Sequence, residues 1–167
     1  AGAFFDCTNL QKITMYYGIT SIEVGSFAGC TSLRDVALPE GLYSIGNEAF
    51  SGCLNLNITS WPKSLRRIEG KAFLSCDRIE ELTLDDFDNL GPSAFAGCDA
   101  LKKVTLSNIR SMEEKVFVNC SALEKVIILD DTVQPKFAFE DCPKLITAGS
   151  LNSGCNIEFN WSKKIPA

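Results

Sequence analysis

Apolar residues recur along this chain at intervals of 22 or 23 residues. In seven successive units a phenylalanine stands three residues before a cysteine, and an aliphatic residue stands three residues after it. The repeated unit is A-F-x-x-C-x-x-L, with the alanine the least regular position. Its phenylalanines are Phe4, Phe27, Phe50, Phe73, Phe95, Phe117 and Phe139, and its cysteines are Cys7, Cys30, Cys53, Cys76, Cys98, Cys120 and Cys142.

An alternating stretch follows each aliphatic residue, as in Leu101-x-x-Val104-x-Leu106. Period-two alternation is typical of a short strand that buries one face. Two further apolar columns stand eight and five residues before the next phenylalanine, as at Leu42 and Ile45. Each repeat therefore closes a loop around apolar columns, and stacked repeats of this length predict a solenoid, in which a unit buries its apolar face against its neighbours.

Two regions depart from the repeat. In the third unit Thr59 occupies a core column, which predicts a bulged strand or a buried hydroxyl, and Trp61 falls in the next core column. After Cys142 the pattern decays, and residues 148–167 form a degenerate segment in which 156–161 alternate with period two. We expect a last strand there that covers the open end of the core.

The unit Leu33-x-x-Val36-x-Leu38-Pro39-x-Gly41-Leu42-x-x-Ile45-Gly46-x-x-Ala49-Phe50-x-x-Cys53 resembles the BspA-like leucine-rich repeats, which occur in cell-surface proteins of bacteria and some protists. The resemblance covers residues 3 to 147. It implies an α/β fold: a right-handed, horseshoe-like solenoid with a parallel sheet on its concave face and short strands or helical turns on its convex side. It carries over no catalytic residue, because the motif is a core motif.

Charge and composition exclude several functions. The chain has 16 basic and 21 acidic residues, a net charge of −5, and no histidine. An acidic chain is a poor match for nucleic acid, and no apolar run approaches the roughly 20 residues that a membrane-spanning helix needs. Without histidine there is no Ser-His or Cys-His pair and no imidazole metal ligand. We therefore expect a non-enzymatic protein without a cofactor.

Two residue classes invite a metal or redox interpretation. The cysteines are too far apart in sequence for a zinc site, and side chains in one column point the same way, which fits a disulfide poorly. We favour a buried ladder of free thiols, with disulfides as the alternative. Acidic residues cluster after two strands, but they lack the spacing of a calcium loop, and we interpret them as solvated turns. They are Asp85, Asp86, Asp88, Asp130 and Asp131.

The residues between the buried strand positions define a candidate binding face, because alternate side chains of a strand point to opposite sides. The face is mixed in charge and otherwise small or polar. Its members are Lys12, Thr14, Tyr16, Asp35, Ile58, Ser60, Glu81, Thr83, Lys103, Thr105, Lys125 and Ile127.

The resemblance implies a function in adhesion. We expect a single leucine-rich-repeat domain over residues 1–167, with about seven repeats, taken from a longer chain. As a module of a cell-surface or secreted protein, it would bind an extracellular protein or glycan through the concave face. A structural spacer without a ligand is the alternative, and an enzyme that uses carboxylates alone is a third, less favoured one.

Overall fold

The computed structural model describes residues 1–58, 60–129 and 137–145, and the backbone of 157–160. Within these ranges every regular element is a strand, and every pairing between strands is parallel. The strands are β1 (Lys12–Thr14), β2 (Ser21–Ile22), β3 (Asp35–Ala37), β4 (Ser44–Ile45), β5 (Arg67–Ile68), β6 (Glu81–Asp85), β7 (Asn89–Leu90), β8 (Lys103–Ser107), β9 (Lys125–Leu129) and β10 (Ile157–Asn160).

The longer strand of each repeat contributes to one surface, here called sheet 1. It consists of a pair, β1–β3, and a four-stranded part in the order β6-β8-β9-β10. The shorter strands form sheet 2, in the order β2-β4-β5-β7, which a single bridge from Leu90 to Met112 extends. The chain therefore winds as a parallel β-solenoid with the apolar core between its two strand columns.

Proline limits the length of β3 in sheet 1. The three-residue strand β3 is followed by Leu38 and Pro39, whereas β6 continues to Asp85, the repeat-equivalent of Pro39. Proline has no N–H to donate to a neighbouring strand, so it terminates pairing. In the repeats with the shorter turn, each of the sheet 1 strands β6, β8 and β9 has five residues, so these strands are longer than β1 and β3.

The third repeat interrupts sheet 1. No strand forms at residues 57, 58, 60 or 61, and Ile58 is 5% exposed. The prediction that Ile58 faces outward is therefore wrong: its side chain enters the core one residue before the expected core column at Thr59. A shift of one residue reverses which side chains are buried, because the period of a strand is two. Position 59 itself lies outside the described residues.

Trp61 belongs to the core, as predicted. It is partly buried, and its ring meets the rings of Phe73 and Phe95 edge-on, with centroids 5.4 and 6.2 Å apart. An edge-to-face contact is a favourable arrangement for aromatic rings. Trp61 thereby contacts two repeats beyond its own.

A stack of phenylalanine rings runs through the solenoid. Neighbouring rings from Phe4 to Phe139 have centroids 5.1 to 5.5 Å apart and planes within 15° of parallel. Beside each ring the backbone N–H donates to a carbonyl of the next repeat at 2.8 Å, for example from Phe50 to Ala72 and from Phe73 to Ala94. The predicted phenylalanine column is confirmed as core from Phe27 onward, with Phe50, Phe73, Phe95 and Phe117 fully buried, whereas Phe4 in the first repeat is 45% exposed.

Left-handed backbone brackets each phenylalanine. The residue two before the ring and the residue just before the cysteine have positive φ in all seven units, for example Lys71 (55°) and Ser75 (56°) around Phe73. Glycine adopts this conformation freely, and the column before cysteine contains Gly29, Gly52 and Gly97. Residues of this conformation interrupt a right-handed helix.

The α/β class is consequently not confirmed. No helix is present in the described ranges, and the second side of the repeat carries short strands, one of the two forms expected there. The physical reason is the pair of left-handed residues in each turn, which leaves no uninterrupted stretch for helical hydrogen bonding.

The cysteine column is buried, as predicted, apart from the exposed Cys7, and all seven described cysteines are free thiols. Each buried Sγ donates to the carbonyl oxygen of the phenylalanine one repeat earlier. The contacts are Cys30 to Phe4 (3.0 Å), Cys53 to Phe27 (3.1 Å), Cys76 to Phe50 (3.2 Å), Cys98 to Phe73 (3.3 Å), Cys120 to Phe95 (3.3 Å) and Cys142 to Phe117 (3.2 Å).

Burial keeps the thiols in the middle of this column protonated. Desolvation raises the pKa of Cys53 and of Cys98 to about 12, and it raises the pKa of Cys76 well above its ordinary value. The neutral thiol is the form that donates a hydrogen bond, so the raised pKa and the contact to the phenylalanine carbonyl agree. Cys53, Cys76 and Cys98 are therefore protonated thiols in the folded chain.

Of the last strand predicted at 156–161, the structure describes residues 157–160. Strand β10 exists and pairs in parallel with β9, from Ile157 opposite Val126 to Asn160 opposite Leu129. Residues 146–156 and 161–167 lie outside the described residues, as do Asp130 and Asp131. The capping role of residues 148–167 stays a prediction.

Replacing Phe73 by alanine should lower the free energy of unfolding by about 3 to 5 kcal/mol. The reason is that its fully buried ring contacts Phe50, Phe95 and Trp61. Chemical denaturation followed by circular dichroism measures the change. The matched control is Phe5→Ala, because Phe5 is 61% exposed and its loss should have little effect. Equal stability of both variants would contradict the shared core.

Iodoacetamide at pH 8 should label Cys7 in the folded protein and spare Cys53, Cys76 and Cys98. The thiolate is the reactive form, and burial both excludes the reagent and keeps these thiols protonated. Peptide mapping by mass spectrometry measures each site. Denatured protein serves as the control and should be labelled at all of them. Labelling of Cys76 as fast as Cys7 in the folded state would contradict the buried column.

Candidate functional site

The outer face of sheet 1 carries nine of the predicted binding residues in its strands. These side chains lie at alternate strand positions, with the core residues between them. They are Lys12 and Thr14 on β1, Asp35 on β3, Glu81 and Thr83 on β6, Lys103 and Thr105 on β8, and Lys125 and Ile127 on β9.

The register brings these residues into two rows. Lys12 lies opposite Asp35, and Glu81 lies opposite Lys103, which in turn lies opposite Lys125. Two of these three pairs join opposite charges, which attract across neighbouring strands, whereas Lys103 and Lys125 carry the same sign. The second row is neutral, with Thr83, Thr105 and Ile127 side by side. The face offers mixed charge next to small, weakly polar side chains.

The break in sheet 1 separates the remaining predicted residues from this surface. Ser60 is exposed but belongs to no strand, and Ile58 is buried in the core. Tyr16 lies two residues beyond the end of β1 and is 76% exposed. The candidate face is therefore two patches, one on β1 and β3 and one on β6, β8 and β9.

The acidic cluster after β6 is neutralised by arginine. Arg66 contacts Asp86 at 3.0 Å, and Arg110 contacts Asp88 at 2.5 Å while the hydroxyl of Tyr43 donates to the other Asp88 oxygen at 3.1 Å. The part of the chain that the structure describes contains no group of three or more acidic or cysteine side chains placed to hold a metal ion. Cross-repeat ion pairing accounts for these carboxylates.

A polar groove beside sheet 1 is a feature that the sequence did not indicate. It measures about 480 Å³, and all its lining side chains are polar. They stand just before or just after the aliphatic residue that lies three positions beyond each cysteine. The groove therefore runs along the ends where the sheet 1 strands begin. The lining residues, here called the polar groove, are Gln11, Ser32, Arg34, Asn55, Asn57, Arg78 and Glu80.

Two contacts organise the polar groove. The Arg34 guanidinium donates to the Gln11 side-chain oxygen at 2.8 Å, and the Asn55 amide donates to the Thr31 carbonyl at 2.8 Å. Glu80 pairs with Lys102 at 3.0 Å, just outside the lining. The only sequence signal for the groove was the polar character of the two columns, which any solvated turn shares.

No helix in the described part of the chain is long and apolar enough to cross a membrane.

Comparison with solved structures supports the fold. The chain is similar to a leucine-rich repeat protein from Bacteroides ovatus ATCC 8483, with 25% identity and a TM-score of 0.64 over 86% of this chain. It is also similar to a T. pallidum leucine-rich repeat protein, with 23% identity and a TM-score of 0.65 over 78% of this chain and 68% of the other. The chain spans 40% of the length of the Bacteroides protein.

No functionally curated protein matches the chain. The family model for the BspA-type leucine-rich repeat region matches residues 1–124 in six copies. This range covers most of the phenylalanine stack and both strand columns, so the match rests on the residues that form the core. The chain therefore belongs to the BspA-type leucine-rich repeat family.

Proposed function

We propose that this chain is a non-enzymatic interaction module of a cell-surface or secreted protein, which binds an extracellular protein or glycan through the outer face of sheet 1. The observation that carries the proposal is the register of β6, β8 and β9. It aligns side chains of three repeats into continuous rows on a solid core. Rows of this kind provide the extended surfaces that repeat proteins use in binding.

Family membership supports the proposed setting. BspA-type leucine-rich repeat proteins are typically surface-associated. Their repeats are non-enzymatic in general, which agrees with a chain that has no histidine. Asp86 and Asp88, just after β6, are engaged by arginine, so the charges that remain for recognition are those on sheet 1 itself.

A structural spacer is the second candidate function. It is favoured by the neutral row of sheet 1, where Thr83, Thr105 and Ile127 offer little to a partner. It is also favoured by the scarcity of aromatic residues among the candidate face positions, since hot spots of interfaces are rich in tryptophan and tyrosine. A spacer would tolerate any change on the face.

The triple variant Lys12→Ala, Glu81→Ala, Lys103→Ala tests the proposal, since these side chains carry charge on both patches of the face. We expect it to lose at least about tenfold in affinity for the partner, because interfacial charges contribute through complementary pairing. Binding is measured by surface plasmon resonance against a panel of extracellular-matrix proteins and surface glycans, with the unchanged chain alongside.

The matched control removes the same charges elsewhere, as Lys63→Ala, Glu40→Ala, Lys144→Ala. These three residues are exposed and lie outside sheet 1. The control should bind as the unchanged chain does. Equal binding by both triple variants would overturn the proposed face, and absence of any binding by the unchanged chain would favour the spacer.

A further inference from the structure

The polar groove lies where sheet 1 is interrupted. Its residues Asn55 and Asn57 belong to the third repeat, in which no strand forms at the residues described between 57 and 61. With Ile58 turned into the core, this stretch of backbone does not continue the row of paired strands seen on either side. The polar groove therefore runs from the start of the β1–β3 pair, past the third repeat, to the start of the four-stranded part of sheet 1.

The lining side chains share one kind of chemistry. Asparagine and glutamine amides each present a donor and an acceptor, serine does so through its hydroxyl, and arginine presents five donors. Among the described residues, no aromatic or aliphatic side chain lines the groove. A saccharide presents many hydroxyl groups that both donate and accept, and these match the donors and acceptors of the lining. The lining fits a saccharide.

The charge balance of the groove specifies the saccharide further. The carboxylate of Glu80 is paired with Lys102. Within the described ranges Arg34 and Arg78 form no ion pair, and the contact to Gln11 holds the Arg34 guanidinium in place. Two unpaired guanidinium groups thus line one recess of a protein whose net charge is −5. Guanidinium binds carboxylate strongly and with defined geometry.

We propose that the polar groove binds a saccharide that bears carboxylate groups, with Arg34 and Arg78 binding the carboxylates and Asn55 and Asn57 binding hydroxyl groups. The two arginines belong to repeats two positions apart, which is roughly 10 Å along a stack with about 4.8 Å per strand. One ligand carboxylate can reach each arginine if the ligand extends along the groove. The site uses none of the residues of the sheet 1 face.

The test measures binding of two probes by isothermal titration calorimetry, tetragalacturonate and sialyllactose. Their neutral counterparts are the fully methyl-esterified tetragalacturonate and lactose. We expect at least one acidic probe to bind, at least about tenfold more tightly than its neutral counterpart, because only the acid offers a carboxylate to arginine. Absence of binding by both acidic probes, or equal binding of acid and neutral forms, would overturn the proposal.

Single substitutions locate the site. Arg34→Gln and Arg78→Gln should each weaken binding of the acidic probe by about tenfold or more and leave any binding of its neutral counterpart unchanged. The matched control, Lys63→Gln, removes one positive charge from an exposed turn outside the groove and should bind as the unchanged chain does. Equal losses in all three variants would indicate a nonspecific charge effect and overturn the assignment.

Two further arms separate alternative explanations. A glutamate-rich hexapeptide that binds as tightly as the acidic saccharide would overturn the saccharide assignment in favour of an acidic peptide. The sheet 1 triple variant Lys12→Ala, Glu81→Ala, Lys103→Ala should keep its affinity for the acidic saccharide, because none of these residues lines the groove. Loss of binding in that variant would place the saccharide on the sheet 1 face and overturn the separate site. Failure of the sheet 1 proposal and failure of this one are thereby distinguished.

Discussion

The vertical stacking of one repeat on the next is the constraint on which the rest of this structure depends. Phenylalanine rings at 5.1 to 5.5 Å separation and an unbroken series of 2.8 Å backbone hydrogen bonds beside them set the height of each repeat. A repeat with a different height at its phenylalanine would lose the ring contact and the backbone hydrogen bond to its neighbours. Length differences between repeats are therefore confined to the turn after the longer strand, where the backbone is exposed to solvent.

The column of buried cysteines packs closely against the phenylalanine stack. A cysteine side chain is small, largely apolar and able to donate a weak hydrogen bond, and each buried one donates to the phenylalanine carbonyl of the preceding repeat. The left-handed residue before each cysteine turns the chain into this position. Ring stack, thiol column and left-handed turn thus act as one structural unit, repeated along the chain. It leaves the side chains outside the core free to vary.

The third repeat departs from this regular pattern, and the polar groove lies beside it. The interruption at Ile58 removes one strand from sheet 1, and the described residues that line the polar groove beside it are all polar. Trp61 compensates in the core by contacting Phe73 and Phe95 beyond its own repeat. A local loss of pairing is thereby tolerated, because a solenoid distributes its stability over many similar interfaces between neighbours.

The amino-acid sequence by itself determined the repeat and its core columns, because periodic apolar residues such as Phe73, Cys76 and Leu84 must be buried together. The parallel sheet was implied by the resemblance to the BspA-like repeats. The sequence also identified Trp61 as core. Only the tertiary structure decided that Ile58 turns inward, that arginines from neighbouring repeats neutralise Asp86 and Asp88, and that a polar groove borders sheet 1. These features depend on contacts between residues about one repeat apart, and on a one-residue shift in burial. A pattern read along a single strand contains neither, since it records which residues alternate but not which neighbour each side chain meets.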